Sequence, residues 1–261
     1  MTCLLGVISN QPERMARALE PVHDVLVASG PIARWGLGYA QGGEILLSRS
    51  PRLRSEDVDF HAAIQGLRSD CVIAHACAPD GLSGNTNTQP FRYRQWMFAQ
   101  DGSAPSTAAI RTALLAHIPD FLQRNIRGKT VSEEVFHVLL AHLHRAGSVD
   151  DIHLPLERSL QLVSEALRTW RAAVEPAGQD VELGNLMLSN GRSFLAVRLA
   201  QPLYLRRLTI PAPRAGRDDS FRGVIVVSAP DNPGEGFEEI PRRAALRVSR
   251  DVHADVALLP A

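Results

Sequence analysis

The chain is poor in cysteine, balanced in charge and without long apolar runs, and each shortage removes a class of function. Three cysteines among 261 residues, Cys3, Cys71 and Cys77, cannot staple a chain of this length, and none forms a CxxC pair. The formal net charge is zero, with 28 basic and 28 acidic residues, and neither sign gathers into a block. Nucleic acid is therefore not an expected partner, because phosphate recognition needs a basic patch. No stretch approaches the ~18 consecutive apolar residues that cross a bilayer, so a membrane is not expected either. The opening MTCLLGVISN lacks the basic n-region of a secretory signal. There is no internal repeat and no low-complexity linker. A composition 45% hydrophobic and 21% charged is that of an ordinary globular domain. The expectation is one cytoplasmic domain over residues 1–261, with no cofactor and no bound metal.

Leu4, Leu5, Val7 and Ile8 mark a buried strand near the start of the sequence. Pro12 followed by Met15, Leu19, Val22 and Leu26 has helical spacing. Strands are expected at 35–39 and 45–48 around Gly42-Gly43, a helix at 56–68, and strands at 71–78 and 96–100. Thr130 and Glu133 have the spacing of a capping box before a helix. Leu156, Leu160, Val163, Leu167, Trp170 and Val174 recur by three and four as an amphipathic helix. Asn190-Gly191 between two apolar runs is a hairpin turn, and 223–229 and 245–249 are further strands. Strands, then helices, then strands make an α+β fold.

The order of short motifs resembles the stand-alone class II glutamine amidotransferases over nearly the whole chain. Those proteins begin Met-Cys-Arg-Leu-Leu-Gly, and this one begins Met1-Thr2-Cys3-Leu4-Leu5-Gly6. Their Gly-Trp-Gly-x-Gly strand is echoed by Trp35-Gly36-Leu37-Gly38-Tyr39, and their Ala-His-x-Arg by Ala74-His75-Ala76-Cys77. Asn87-Thr88-Gln89-Pro90-Phe91 stands for Asn-Thr-His-Pro-Phe, and Phe98-Ala99-Gln100-Asp101-Gly102 for Phe-Ala-His-Asn-Gly. Thr130-Val131-Ser132-Glu133 and Val227-Ser228-Ala229-Pro230 continue the series. The resemblance implies the four-layer αββα sandwich of two antiparallel sheets found in N-terminal-nucleophile hydrolases.

It also implies a chemistry. In that family, removal of Met exposes a Cys whose own α-amine, with a reference pKa near ~8, acts as general base. An Asn side chain and a Gly N–H form the oxyanion hole. An Arg clamps the substrate carboxylate and an Asp its ammonium. Here Thr2 stands at the nucleophile position, where it is either a hydroxyl nucleophile or an ordinary strand residue. Cys3 is expected to be a small buried thiol, since successive strand residues face opposite ways. Asp101 replaces the oxyanion Asn, and only a proton retained by a raised pKa would let it donate. Gly102 keeps one backbone donor. Cys77 replaces the clamping Arg, Val131 the ammonium-binding Asp, and Gln89 the family His. With Asp80 and Trp35, these residues line the site that the resemblance implies. Cys77, Asp80 and Asp101 make that site more acidic than the family's, which suits a cationic or uncharged amide.

Loss of one oxyanion donor costs ~3–4 kcal/mol in hydrolases, and loss of both clamps adds to it. The first expectation is a fold retained for binding or as a subunit, with glutaminase chemistry lost. The alternative is an amidohydrolase using Thr2 on an amide other than free glutamine. The partner is then a small-molecule amide or a protein, with homo- or hetero-oligomers left open. His137, His142 and His144 lack the i, i+4 spacing of a helical zinc site and are expected at the surface or at an interface. His75 is expected to be a structural strand residue. The stretch from Arg206-Arg207 to Arg217, balanced by Asp218 and Asp219, is expected to be a solvated loop. Gly81-Leu82-Ser83-Gly84 has no Lys-Ser/Thr after it and is not a phosphate cradle.

Overall fold

The structure is a computed structural model that describes residues 3–53, 56–101, 106–177, 183–211 and 220–260. Strand β1, Cys3–Ser9, is buried at every position, because both of its faces are covered. Cys3, Leu5 and Val7 pack under an outer helical layer, and Leu4 and Ile8 face a second sheet. A strand covered on both sides reads as a continuous apolar run, which is how this one is written.

In chain order the further strands are β2 (Val27–Ala28), β3 (Arg34–Gln41), β4 (Glu44–Ser50), β5 (Val58–Asp59), β6 (Cys71–Cys77), β7 (Phe91–Tyr93), β8 (Trp96–Gln100) and β9 (Leu186–Ser189). They continue with β10 (Phe194–Arg198), β11 (Leu203–Ile210), β12 (Phe221–Ser228), β13 (Glu238–Glu239), β14 (Ala244–Val248) and β15 (Ala254–Leu258). The helices are α1 (Met15–Leu19), α2 (Phe60–Ile64), α3 (Ala108–Leu115), α4 (Asp120–Gln123), α5 (Val131–Arg145) and α6 (Leu156–Val174).

One sheet runs β13-β11-β12-β1-β6-β3-β4 and the other β15-β14-β10-β9-β8-β7, with a small β2-β5 ribbon apart. The pairings of both large sheets are antiparallel. Three apolar cores lie in register with these layers. One, with Met15, Leu19 and Phe60, fills the space between the first sheet and α1 and α2. A second, with Leu4, Ile73, Met97 and Phe194, joins the two sheets. The third, with Phe98, Phe136 and Leu160, packs the second sheet against α3, α5 and α6. The molecule is the expected αββα sandwich.

Several local expectations are corrected. The helical segment after Pro12 is broken into a 3-10 turn (Pro12–Arg14), α1 and a second 3-10 run (Glu20–Leu26) with non-helical angles at Val22. Pro21 explains the break, since it has no N–H to continue the ladder. The helix at 56–68 shrinks to α2, with β5 before it. Arg206 and Arg207 lie in strand β11, not in a loop, where Arg207 pairs with Glu238 at 3.0 Å and Arg206 covers the Phe237 ring. The acidic partners proposed for them, Asp218 and Asp219, lie outside the described residues. Thr130 does cap α5 by accepting from the Glu133 N–H at 3.2 Å. The reciprocal arm differs: the Glu133 carboxylate accepts from the N–H groups of Arg127 and Gly128. His137 is buried, with Nδ1 2.8 Å from the Glu133 carbonyl oxygen, and only His144 is an exposed histidine of the helical three.

Candidate functional site

The antiparallel order brings six chain segments to one end of the sandwich. The start of β1 lies beside the end of β6, with Cys3 opposite Ala76. The end of β6 lies beside the start of β3, with Cys77 opposite Arg34. The end of β12 flanks β1 from the other side, and the end of β8 and the start of β9 come in from the second sheet.

Arg34 dominates this end. Its side chain is 2% exposed, and its two terminal nitrogens donate to the two oxygens of Asp80, each at 2.7 Å. Nη2 also reaches Cys77 Sγ at 3.4 Å, Nε donates to the Asn87 carbonyl at 3.1 Å, and Nη1 donates to the Leu82 carbonyl. Burial works against this charge, and the hydrogen bonds and charge of Asp80 overcome it, so the guanidinium is held above its ordinary pKa. The 80–87 loop is thereby wrapped around one cation. Asn87 extends the arrangement to the helical layer, donating to the Ser83 carbonyl and accepting from the Lys129 N–H at 2.8 Å.

A second cluster surrounds Asp101. Its carboxylate accepts from Ser228 Oγ at 3.2 Å and from Asn185 Nδ2 at 3.3 Å, and its N–H donates to the Asn185 carbonyl at 2.7 Å. Ser228 Oγ in turn accepts from the Leu4 N–H at 3.0 Å, which ties the carboxylate to the start of β1. Gly184 makes the packing feasible: a Cβ there would stand 2.2 Å from the Asp101 carbonyl oxygen. No cation pairs with this carboxylate among the described residues, and burial raises its pKa to about 7 against the hydrogen bonds of Ser228 and Asn185.

Between the clusters lie Gln89 and His75. The Gln89 side chain acts as a surrogate strand residue: its Oε1 accepts from the Gln100 N–H at 2.7 Å and its Nε2 donates to the Gln100 carbonyl at 3.0 Å. Both ends of its amide are thus engaged by backbone. His75 Nε2 is 3.4 Å from Gln89 Nε2. Burial, reinforced by the Arg34 charge, lowers the His75 pKa to about 3, so the imidazole is neutral and accepts at Nε2. It lies buried within strand β6.

Of the residues singled out in the sequence, Cys77, Asp80, Gln89 and Asp101 converge on this end. Thr2 and Gly102 lie outside the described residues. Trp35 is on the opposite face of β3, where its ring meets Phe60 edge-on at 6.1 Å under the outer helices. Val131 is the first residue of α5 and is packed in the helical core. Cys3 is a buried thiol, its pKa pushed up to about 12 by burial and by the charge of Asp101. Arg34 is the site residue that sequence reasoning missed. It is an arginine in no family motif, and only the register of β3 against β6 places it next to Cys77.

The family model for glutamine amidotransferases class-II matches residues 1–215. The chain belongs to the class II glutamine amidotransferase family. Among solved structures, a glutamine aminotransferase class-II domain protein from Silicibacter pomeroyi is 16% identical with a TM-score of 0.62, covering 99% of this chain and 100% of that one. A predicted glutamine amidotransferase from Pseudomonas aeruginosa is 17% identical with a TM-score of 0.54, covering 97% and 98%. The glutamine phosphoribosylpyrophosphate amidotransferase of B. subtilis is 14% identical with a TM-score of 0.54, and the match covers 99% of this chain and 49% of that one. At such identities the likeness is one of fold. Compared by sequence with curated proteins, the chain matches none significantly.

A thiol at Cys77 offers no charged fork for a carboxylate. The neighbouring strand supplies a fork through Arg34, but both prongs already hold the chain's own carboxylate.

Proposed function

We propose that this chain is a class II amidotransferase-fold protein that has lost glutamine hydrolysis and is retained for binding or as a subunit. The observation that carries the reading is the Arg34–Asp80 pair. A bidentate carboxylate on a guanidinium is the contact an amino-acid substrate would need, and Asp80 makes it intramolecularly at 2.7 Å. Free glutamine would have to displace a partner that is covalently attached and correctly oriented. Asp101 argues in the same direction: when ionised it repels a developing oxyanion rather than donating to it.

The test is direct. Purified protein incubated with millimolar glutamine at pH 7.5 is expected to release no ammonia above background and to give no calorimetric heat of binding. Turnover abolished by Thr2→Ala would overturn the reading.

One observation favours a second reading, an amidohydrolase with Thr2 as nucleophile on a cationic or uncharged amide. Asp101, with its pKa raised to about 7, keeps its proton in a substantial fraction of molecules at neutral pH, and a neutral carboxyl can donate a hydrogen bond. That enzyme would need Asp101 protonated and the Thr2 amine neutral, so its rate would peak between about pH 7 and 8 and fall on either side. Intact mass decides the prerequisite, since retained Met1 excludes this chemistry.

A further inference from the structure

A cluster outside the amidotransferase site has the composition of a metal centre. His23, in the 3-10 run before β2, faces Asp59 and His61 at the junction of β5 and α2. One ligand atom from each of the three side chains lies within 4.8 Å of the others. His23 Nε2 is 3.0 Å from Asp59 Oδ2, and the two imidazoles stand edge-on with centroids 5.2 Å apart.

The surroundings of the cluster fix its orientation. His61 is buried, and its Nε2 is 2.9 Å from the Ala16 carbonyl oxygen. A carbonyl only accepts, so the ring proton is on Nε2 and Nδ1 keeps its lone pair. A ring N–H given to a backbone carbonyl is the usual support of a metal-ligating histidine. The Asp59 carboxylate is held too: Oδ1 accepts from the Ala62 N–H at 2.9 Å as the cap of α2, which leaves Oδ2 toward His23. The His23 and Asp59 side chains are 41% and 39% exposed, so an ion can enter from solvent and keep a water as a fourth ligand. Ligand atoms around a four-coordinate zinc lie ~3.3 Å apart, given bonds of ~2.0–2.1 Å. Small rotations of the exposed His23 and Asp59 side chains would reach that spacing.

We propose that His23, Asp59 and His61 bind a divalent transition-metal ion of the zinc class. Two imidazoles and one carboxylate suit zinc and exclude magnesium or calcium, which take oxygen ligands. The ion would clip the 3-10 run after α1 to α2, two pieces of the outer layer 36 residues apart in sequence. This layer covers the first sheet on the face away from Asp101, so the site is structural and independent of the reading of the amidotransferase site.

The experiment is zinc titration of the chelator-treated full chain against a chromophoric competitor, with thermal melts in parallel. One equivalent is expected to bind, and a hundredfold excess over its Kd to raise Tm by roughly 5 °C. His23→Ala removes an exposed ligand, and Asp59→Asn removes the charge while keeping the helix cap. Each is expected to weaken binding by at least ~10-fold and to remove the Tm shift, whereas His153→Ala, an exposed histidine elsewhere, leaves both unchanged. No zinc bound at ~100 μM, or equal affinity in wild type, His23→Ala and Asp59→Asn, would overturn the proposal.

Discussion

Arg34 and Asp80 meet fork to fork, two hydrogen bonds of 2.7 Å joining a guanidinium that is 2% exposed to a carboxylate that is 16% exposed. Removing one partner of such a pair strands the other, at a cost of ~3–5 kcal/mol for a fully buried pair. Partial exposure of Asp80 lets water compensate in part. Arg34→Met and Asp80→Ala are each expected to lose about 2–4 kcal/mol in urea unfolding. The double variant should lose clearly less than their sum, because neither charge is then left alone. Additive losses would show that the pair is not coupled.

Asp101 should give stability a downward slope with pH. Its folded pKa of about 7 lies above the ordinary value of 3.8, so between those values the unfolded chain has released a proton that the folded chain still holds. Stability therefore falls as pH rises through that window, and the loss, complete above pH 7, is on the order of 4 kcal/mol. Asp101→Asn keeps the shape and removes the titration. The variant is expected to be more stable than wild type at pH 8 and close to it at pH 4, as measured by denaturant midpoints. An equal difference at both pH values would refute the assignment.

His75 should act in the opposite sense. Its folded pKa of about 3 lies below the ordinary value of 6.5, so as pH falls from 6.5 the unfolded chain gains a proton that the folded chain refuses. Stability is lost on acidification through that window. His75→Gln is expected to tolerate pH 4.5 better than wild type, relative to its own stability at pH 8. In wild type the two slopes largely offset each other between about pH 4 and 6.5, so each single variant should expose the slope of the other group.

An arginine placed at position 77 should destabilise the fold in isolation. Cys77 is 2% exposed and its sulfur is 3.4 Å from Arg34 Nη2. Cys77→Arg would bury a second guanidinium against the first, with Asp80 able to neutralise only one. The single variant is expected to melt well below wild type, and Arg34→Leu added to it should recover part of the loss. If Cys77→Arg alone is as stable as wild type, the pocket beside β6 is more open than the Arg34 contacts imply.

Much of the fold was legible in the sequence. The covered strands β1 and β6 are written as apolar runs, α6 as a three-and-four spacing, and the β9–β10 turn as Asn190-Gly191. The breaks were less visible. Propensity over a window misses what Pro21 does to the ladder, and it misses β11, whose Arg206 and Arg207 look like a loop until Glu238 and Phe237 are brought beside them. The resemblance that singles out Cys77, Asp101 and Val131 needed only the motif order, which is one-dimensional.

What surrounds those residues was decided in three dimensions. Strand registry set Arg34 opposite Cys77 across 43 residues of sequence, and no local pattern carries that distance. The same holds for Asp101, whose pKa is raised by burial and partly pulled back by the hydrogen bonds of Ser228 and Asn185, none of which is set by a neighbour in sequence. His23 and His61 likewise meet only because α1 and α2 share one layer over the first sheet. The sequence determined the class of the fold. The tertiary structure alone decided which charges are paired, because pairing depends on distance and desolvation, and both are set only when the sheets close on each other.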